Sequence, residues 1–493
     1  MDAGAQSLRI RPEIEASLTY TSNAAHASAA LAESDMVLNV SPRLVFNSRG
    51  GRVQLDGSFG VESGTYSRHS DASFVRPRGR IEMRSQLVER WAFLDASVVA
   101  DRESADPYAA RPDTVSAFND YTTMRYRVTP YLQRQLTPRV SLLARTDHVI
   151  TRRVGGTSFF DPGHTDPVRD AHEQAQRIEL AMTPMPLGAE LEITREDTRH
   201  RGATRSILTQ TGARAIGSYA PSPQLTLSAI IGQEVSRYSL FDRTDSIAGG
   251  ELRWQPSERI TLDARVERRF FGTGVSVAWR HRTPFFGLEL SADRRPVAQS
   301  GSHLLGAAGA NVQSLLDGVL TTRFPDATQR GQLVDTIVRD LNLPETLTAP
   351  IDLYTSYAQL QESLQATALF FGRLTTVSAT VYARERRRLQ DVEDVLAPAA
   401  LTSDNRQLGL ETLATRRLSR LLTAEAGFRV SRIEGLGVRA GESTSDIVVH
   451  GGVTRLASPS TRVGLHARHQ IVRSSVTSPS KETAIIATLM HRF

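Results

Sequence analysis

The sequence predicts an all-β fold: a transmembrane, antiparallel, up-and-down β-barrel of about 22 strands carrying one short helical insertion. Three observations lead there. Apolar and polar residues alternate in segments of about ten residues, the period of a strand with two unlike faces. The connections between segments are short and long in strict rotation. No stretch approaches the roughly 18 consecutive apolar residues of a membrane-spanning helix, which leaves strands as the way across a bilayer.

The short connections are turn-like: Ser48-Arg49-Gly50-Gly51, Thr137-Pro138, Pro221-Ser222-Pro223, Pro256-Ser257 and Ser458-Pro459-Ser460. The long ones are polar, as in 102–119, 151–169 and 433–443. A barrel in the outer membrane has this asymmetry because its periplasmic turns are tight and its outer loops are free to grow. A soluble sandwich has no reason to sort its loops by parity.

Strands are expected to begin near residues 8, 35, 52, 73, 90, 120, 140, 170, 189, 205, 224, 244, 260, 273 and 285. After the insertion they resume near 352, 374, 404, 421, 443, 461 and 482. Splitting or merging one or two hairpins would give 18 or 20, and any even number returns both termini to the short-turn side. The alternation is plain in Val53, Leu55, Phe59 and Val61, and again in Met124, Tyr126, Val128 and Leu132. It recurs in Leu262, Ala264 and Val266, in Val377, Ala379 and Val381, and in Leu422, Ala424, Ala426 and Phe428. The apolar faces are thin, which suits lipid contact, and the polar faces are ionic, which suits a wet interior. Residues 1–493 therefore read as a single barrel, with 298–351 inserted in it.

Within that insertion Val312–Leu320 and Gln329–Leu341 have helical spacing, the second with an apolar stripe of Leu333, Val334, Ile337, Val338 and Leu341. Asp326 or Thr328 is placed to cap it, and Pro344 follows its end. By loop parity the interval belongs to the extracellular side. It is expected to constrict or plug the lumen, to cap the mouth as a lid, or to be an outer loop with two short helices and no gating role. Phe324, Arg330, Leu333, Ile337 and Leu341 are the residues such a gate would use. The last segment, Glu482–Phe493, alternates to a terminal Phe, resembling the C-terminal signal read by barrel-assembly machinery, with His491 departing from it.

Composition narrows the chemistry. The chain has no cysteine, which excludes disulfides, thiolate metal sites and cysteine nucleophiles. Of 59 basic residues only Lys481 is lysine, and the net charge of +6 is spread too thinly for a nucleic-acid surface. The first residues, Met1-Asp2-Ala3-Gly4-Ala5-Gln6, lack a signal peptide, so a bacterial outer-membrane location implies one already removed.

The best candidate working surface is the inward polar set Arg125, Arg127, Tyr131, Arg265, Arg269, Tyr382, Arg384, Arg429, Arg462 and Arg468, with Asp263, Glu267 and Glu425 between them. Ion pairs across strands would stiffen the wall, while rings of arginine would favour anionic solutes and tyrosines would stack on sugars. The run Arg384–Arg388 is the densest basic stretch. Its outer members Arg386, Arg387 and Arg388 read as an extracellular cluster for lipopolysaccharide phosphates or an anionic polymer, or as a solvated strand end. Asp161, His164 and Asp166, with Asp170, His172 and Glu173, form an acidic loop that is a metal candidate lacking ordered ligand spacing. Asp147-His148 with Ser141 invites a hydrolase reading, but His148 falls on the opposite strand face from the other two. No enzyme and no cofactor is expected.

Several phrases resemble one family, the outer-membrane barrels associated with PEP-CTERM/exosortase and exopolysaccharide systems of Gram-negative bacteria. They are Ile10-Arg11-Pro12-Glu13-Ile14 with Leu18-Thr19-Tyr20-Thr21-Ser22-Asn23, and Phe270-Phe271-Gly272 with Trp279-Arg280-His281-Arg282-Thr283. Phe324-Pro325-Asp326, Arg330, Leu343-Pro344 and the strand 361–373 complete the set; Ser22 stands where Asp is usual. The resemblance implies a channel passing or guiding exopolysaccharide, with a non-transporting scaffold or a small-solute porin as alternatives. The partners it implies are outer-membrane lipid and lipopolysaccharide, exopolysaccharide and a periplasmic export protein.

Overall fold

A backbone crossing lipid must satisfy every N–H and C=O within the protein, and strands do so only when the sheet closes on itself. The computed structural model describes residues 7–49, 52–104, 108, 120–154, 170–200, 208–238, 241–297, 312–321, 323–340, 343, 358–389 and 404–493. The chain begins with β1 (Ser7–Thr21), β2 (Asp35–Arg49), β3 (Val53–Tyr66), β4 (Phe74–Val88) and β5 (Ala92–Ser104). Next come β6 (Asp120–Gln135), β7 (Val140–Arg153), β8 (Ala171–Met182), β9 (Leu187–His200) and β10 (Leu208–Ser222). β11 (Leu225–Tyr238), β12 (Phe241–Ser257), β13 (Ile260–Arg269), β14 (Gly272–Arg282) and β15 (Phe286–Val297) lead to two helices, α1 (Val312–Leu320) and α2 (Ala327–Asp340). The wall resumes with β16 (Gln359–Phe371), β17 (Thr375–Arg388), β18 (Asn405–Arg417) and β19 (Leu422–Gly435). It ends with β20 (Ser443–Ser458), β21 (Thr461–Ser474) and β22 (Ser480–Arg492).

Each strand pairs antiparallel with the next, and β1 pairs with β22 from Glu13 opposite Arg492 to Thr21 opposite Ala484. The result is a closed barrel of 22 strands. Strand starts fall within about three residues of those expected, except that β16 begins at Gln359 and not near 352.

The alternation sorts residues into two faces. Leu8, Ile10, Leu18 and Tyr20 of β1 point outward and are exposed, as are Leu191 and Ile193 of β9, because their partner is lipid. Trp91, Tyr219, Trp254 and Phe370 form an aromatic girdle near the short-turn rim. Glu13, Glu62, Arg214 and Glu267 point inward and are buried.

Two inward carboxylates pin the seam. Glu13 takes Arg492 at 2.6 Å and Arg43 at 3.1 Å, joining β22, β1 and β2. Glu482 of β22 accepts a bond from Thr21 Oγ1 of β1 at 2.6 Å and pairs with Arg468 of β21.

The helical insertion leaves the wall at Val297 and returns at Gln359, both at the long-loop rim, but its helices pack at the opposite end. α1 and α2 share an apolar cluster of Val312, Leu316, Leu320, Val334, Ile337, Val338 and Leu343 that rests on Leu369, which is fully buried near the end of β16. Gly287, inward on β15, makes this approach feasible: a Cβ there would lie 3.1 Å from Val319 Cγ2. Arg282 Nη1 donates to the Gly318 carbonyl at 3.2 Å, and the Arg323 guanidinium lies 4.1 Å from the Phe285 ring centre in the β14–β15 turn. The hairpin thus sits on the inner wall at the short-turn rim rather than above the long-loop mouth.

Candidate functional site

The lumen is the candidate site, and its surface is built from cross-strand ion pairs. Arg214 of β10 reaches Glu192 of β9 at 3.1 Å and, in the other direction, Glu267 of β13 at 3.0 Å. All three side chains are less than a tenth exposed. Arg265 pairs with Glu251 at 2.8 Å, Arg269 with Glu234 at 2.6 Å and Arg177 with Glu192 at 2.8 Å. Around the ring, Arg76 meets Glu62 at 2.9 Å and Arg145 meets Asp147 at 2.9 Å. In so enclosed a setting a charge is tolerated only when paired, and removing one partner is costly. The wall is therefore dense in charge yet locally neutral. Above it lies a cavity of about 1420 Å³ lined by Arg145, Arg177, Glu192, Arg214, Glu251 and Arg265, among others, and reaching Ser314 of α1.

All ten residues expected on the inner face are there, spread over five strands and not gathered at one point. On β6, Arg125 and Arg127 lie near Asp147 and Glu173. Tyr131 stacks on Phe93 at 5.0 Å. Arg265 and Arg269 are in the pairs just given. Tyr382 and Arg384 are buried on β17; the Tyr382 ring lies flat where a side chain at Gly409 on β18 would stand. Arg429 reaches Asp446 at 3.3 Å, Arg468 holds Glu482, and Arg462 sits low on β21 near the short-turn rim. His466, also inward, meets Glu425 at 3.0 Å.

The basic run does not form one extracellular cluster. Alternation turns Arg386 inward, where it is 1% exposed and donates to Gln361 Oε1 at 2.9 Å. Arg387 points outward, 62% exposed, on Glu385. Arg388 is tied through its backbone N–H to Asp404 at 2.8 Å. Among the hairpin residues, Arg330 holds Asp317 at 2.7 Å and the Phe324 and Pro325 carbonyls, so it braces the joint between the helices. Asp326 caps α2 by accepting from Gln329 N–H at 2.8 Å. Leu333 and Ile337 pack in the cluster, and Phe324 is 39% exposed at the rim. Leu341 lies outside the described residues, as do Asp161, His164 and Asp166.

His172 and Glu173 face opposite sides of β8, so they cannot share an ion. Ser141 and Asp147 face the lumen while His148 faces outward, stacked against His172 at 6.1 Å. Asp147 is instead occupied by Arg145 and by Thr129 Oγ1 at 2.6 Å.

Sequence reasoning passed over Arg214, Glu192, Glu234 and Glu482. The signal available was parity, since Gln210, Gly212 and Arg214 share one face of β10. Tyr108 was also passed over. It lies in the β5–β6 connection yet is fully buried against Ile433, under the Arg439 guanidinium at 4.2 Å. Its carbonyl accepts from Thr444 Oγ1 at 2.6 Å and Ser474 Oγ at 3.0 Å, on inward positions of β20 and β21.

No family model matches the chain, and no curated protein does. Among solved structures, the FrpB iron transporter from Neisseria meningitidis (F5-1 variant) aligns at TM-score 0.51 and 10% identity, over 98% of this chain and 82% of that one. The siderophore receptor PirA from Acinetobacter baumannii aligns at 0.47 and 8% identity, over 98% and 80%. OpdK from Pseudomonas aeruginosa, solved with vanillate, aligns at 0.36 and 9% identity, over 98% and 99%. Likeness at such identities concerns the fold alone, and that fold is the outer-membrane β-barrel.

Proposed function

We propose that the protein is an outer-membrane channel that passes or guides exopolysaccharide, with the α1–α2 hairpin narrowing the periplasmic end of its lumen. The observation that carries this reading is the cavity lined by paired arginines and carboxylates that reaches α1 at Ser314. A wall on which most of the guanidinium groups lining the cavity are paired with carboxylates holds a solute only weakly by net charge. It still offers many donors and acceptors to hydroxyl groups, which suits a sugar chain that must bind weakly and move on. The phrases shared with exopolysaccharide-linked barrels support the substrate class. In this chain the phrase Phe324-Pro325-Asp326 with Arg330 forms the joint of the hairpin.

The purified barrel is expected to conduct in a planar bilayer, with conductance rising when 298–351 is deleted. Deleting the gene is expected to lower cell-surface polysaccharide. Unchanged conductance would remove the constriction, and undiminished polysaccharide would remove the transport role. A second reading, a closed scaffold that anchors a surface assembly, draws on Tyr108 pinned against the inner wall near the other rim. It predicts no conductance with or without the hairpin.

A further inference from the structure

The outer surface of the barrel is not uniform. On β1 to β4 every outward position is uncharged, from Leu8 and Ile10 through Leu38, Phe59 and Met83 to Leu87. On later strands the outward positions near the long-loop rim become charged: cations such as Arg152, Arg195 and Arg268 outnumber carboxylates such as Asp242, Glu362 and Glu385, which pair with neighbouring arginines. One such row runs across β19 to β22. Arg432 stands opposite Ser445, Ser445 opposite Arg473, and Lys481 opposite Ile471, two residues from Arg473.

Arg432 is 56% exposed and holds Glu434 at 2.7 Å. Arg473 and Lys481 are exposed and have no acidic partner among the described residues. His469 lies on the same face below them, bonded to Thr483 Oγ1 at 2.9 Å. A cation held at mid-membrane on the lipid face is costly, so this row marks the depth of headgroups and not of acyl chains.

We propose that the row Arg432–Arg473–Lys481 binds the phosphates of the phosphorylated glycolipid, lipopolysaccharide, that fills the outer leaflet. Three features fit that partner. The row lies at the rim of the long loops, which faces the cell exterior. It points away from the lumen, out of reach of any polymer inside it. With strands about 4.8 Å apart, it spans about 14 Å, the scale of a disaccharide bearing a phosphate at each end. Guanidinium groups pair with phosphate oxygens through two parallel bonds, and the single lysine of the chain adds a point charge beside them.

The test is to titrate the full-length, detergent-solubilised barrel with diphosphoryl lipid A, with its dephosphorylated form and with phosphatidylglycerol, following bound lipid by native mass spectrometry. Diphosphoryl lipid A is expected to bind tightest. Arg473→Gln with Lys481→Gln should weaken it about 25-fold, roughly fivefold per cation, while the melting temperature is kept. Arg416→Gln with Arg455→Gln removes equal charge from the outward face at the other rim and should leave binding unchanged. The proposal is overturned if dephosphorylated lipid A or phosphatidylglycerol binds as tightly, if the outer double variant binds like the parent, or if both double variants weaken alike. Should the outer variant fail to fold, the comparison of the three lipids on the parent protein decides.

Discussion

Asp35, the first residue of β2, holds the start of the connection after β3. Its carboxylate accepts from the backbone N–H of Ser67, Arg68 and His69, from Ser67 Oγ, and from His69 Nδ1 at 2.8 Å. The bond to Asp35 is the main reason the His69 pKa is raised above its ordinary value; burial opposes it, and Glu33 at 3.1 Å adds to it. A raised folded-state pKa stabilises the clamp fully below the unfolded value, about 6.5, and that stabilisation is lost as pH rises through the folded value. Amide hydrogen exchange at Ser67, Arg68 and His69 is therefore expected to speed up across that window beyond its intrinsic pH dependence. His69→Gln should abolish the extra step. An identical step in the variant would show that the imidazole is not the titrating group.

At the scale of elements, the hairpin rests on the wall through the cluster around Leu369, and this can be tested by removing one contact and restoring another. Leu316→Ala deletes a fully buried side chain from the cluster against Leu369, a loss of about 2–5 kcal/mol in a packed site. Conductance is expected to rise. The chain has no cysteine, so Gly287→Cys with Val319→Cys added to the same variant creates one defined pair at a distance suited to a disulfide. Oxidation should return conductance to the parent level and reduction should release it again. Traces that ignore the reductant would separate the hairpin from conduction.

Both helices and the Asp326 cap were legible in the sequence, because spacing and capping are local. Where the helices dock was not. Loop parity places only the entry and exit of the insertion, at Val297 and Gln359, and an apolar stripe does not say which wall covers it. The same limit explains the site. Alternation put Arg265 and Arg269 on the inner face, but their partners Glu251 and Glu234 follow from register and strand tilt. Alternation alone would have split Arg386 from Arg387; reading the run as one patch overrode it.

For the whole molecule, charge is arranged by face: largely paired inside and, on the outside, gathered toward the two rims. The seam is part of the matched set. Glu482→Gln removes the carboxylate that Thr21 and Arg468 share, in a site where both members of the ion pair are buried. A loss of about 3 kcal/mol is expected, read as a lower urea midpoint for the barrel in vesicles. An unmoved midpoint would mean that backbone pairing alone holds the seam.

The bond from Thr21 to Glu482 links residues 461 positions apart. Nothing at that junction can form until the final strand has been made and delivered. Until then the sheet has two raw margins whose peptide groups hydrocarbon cannot solvate. A half-built wall in the bilayer therefore needs some other surface against both margins until β22 meets β1. Its closure is a single late commitment.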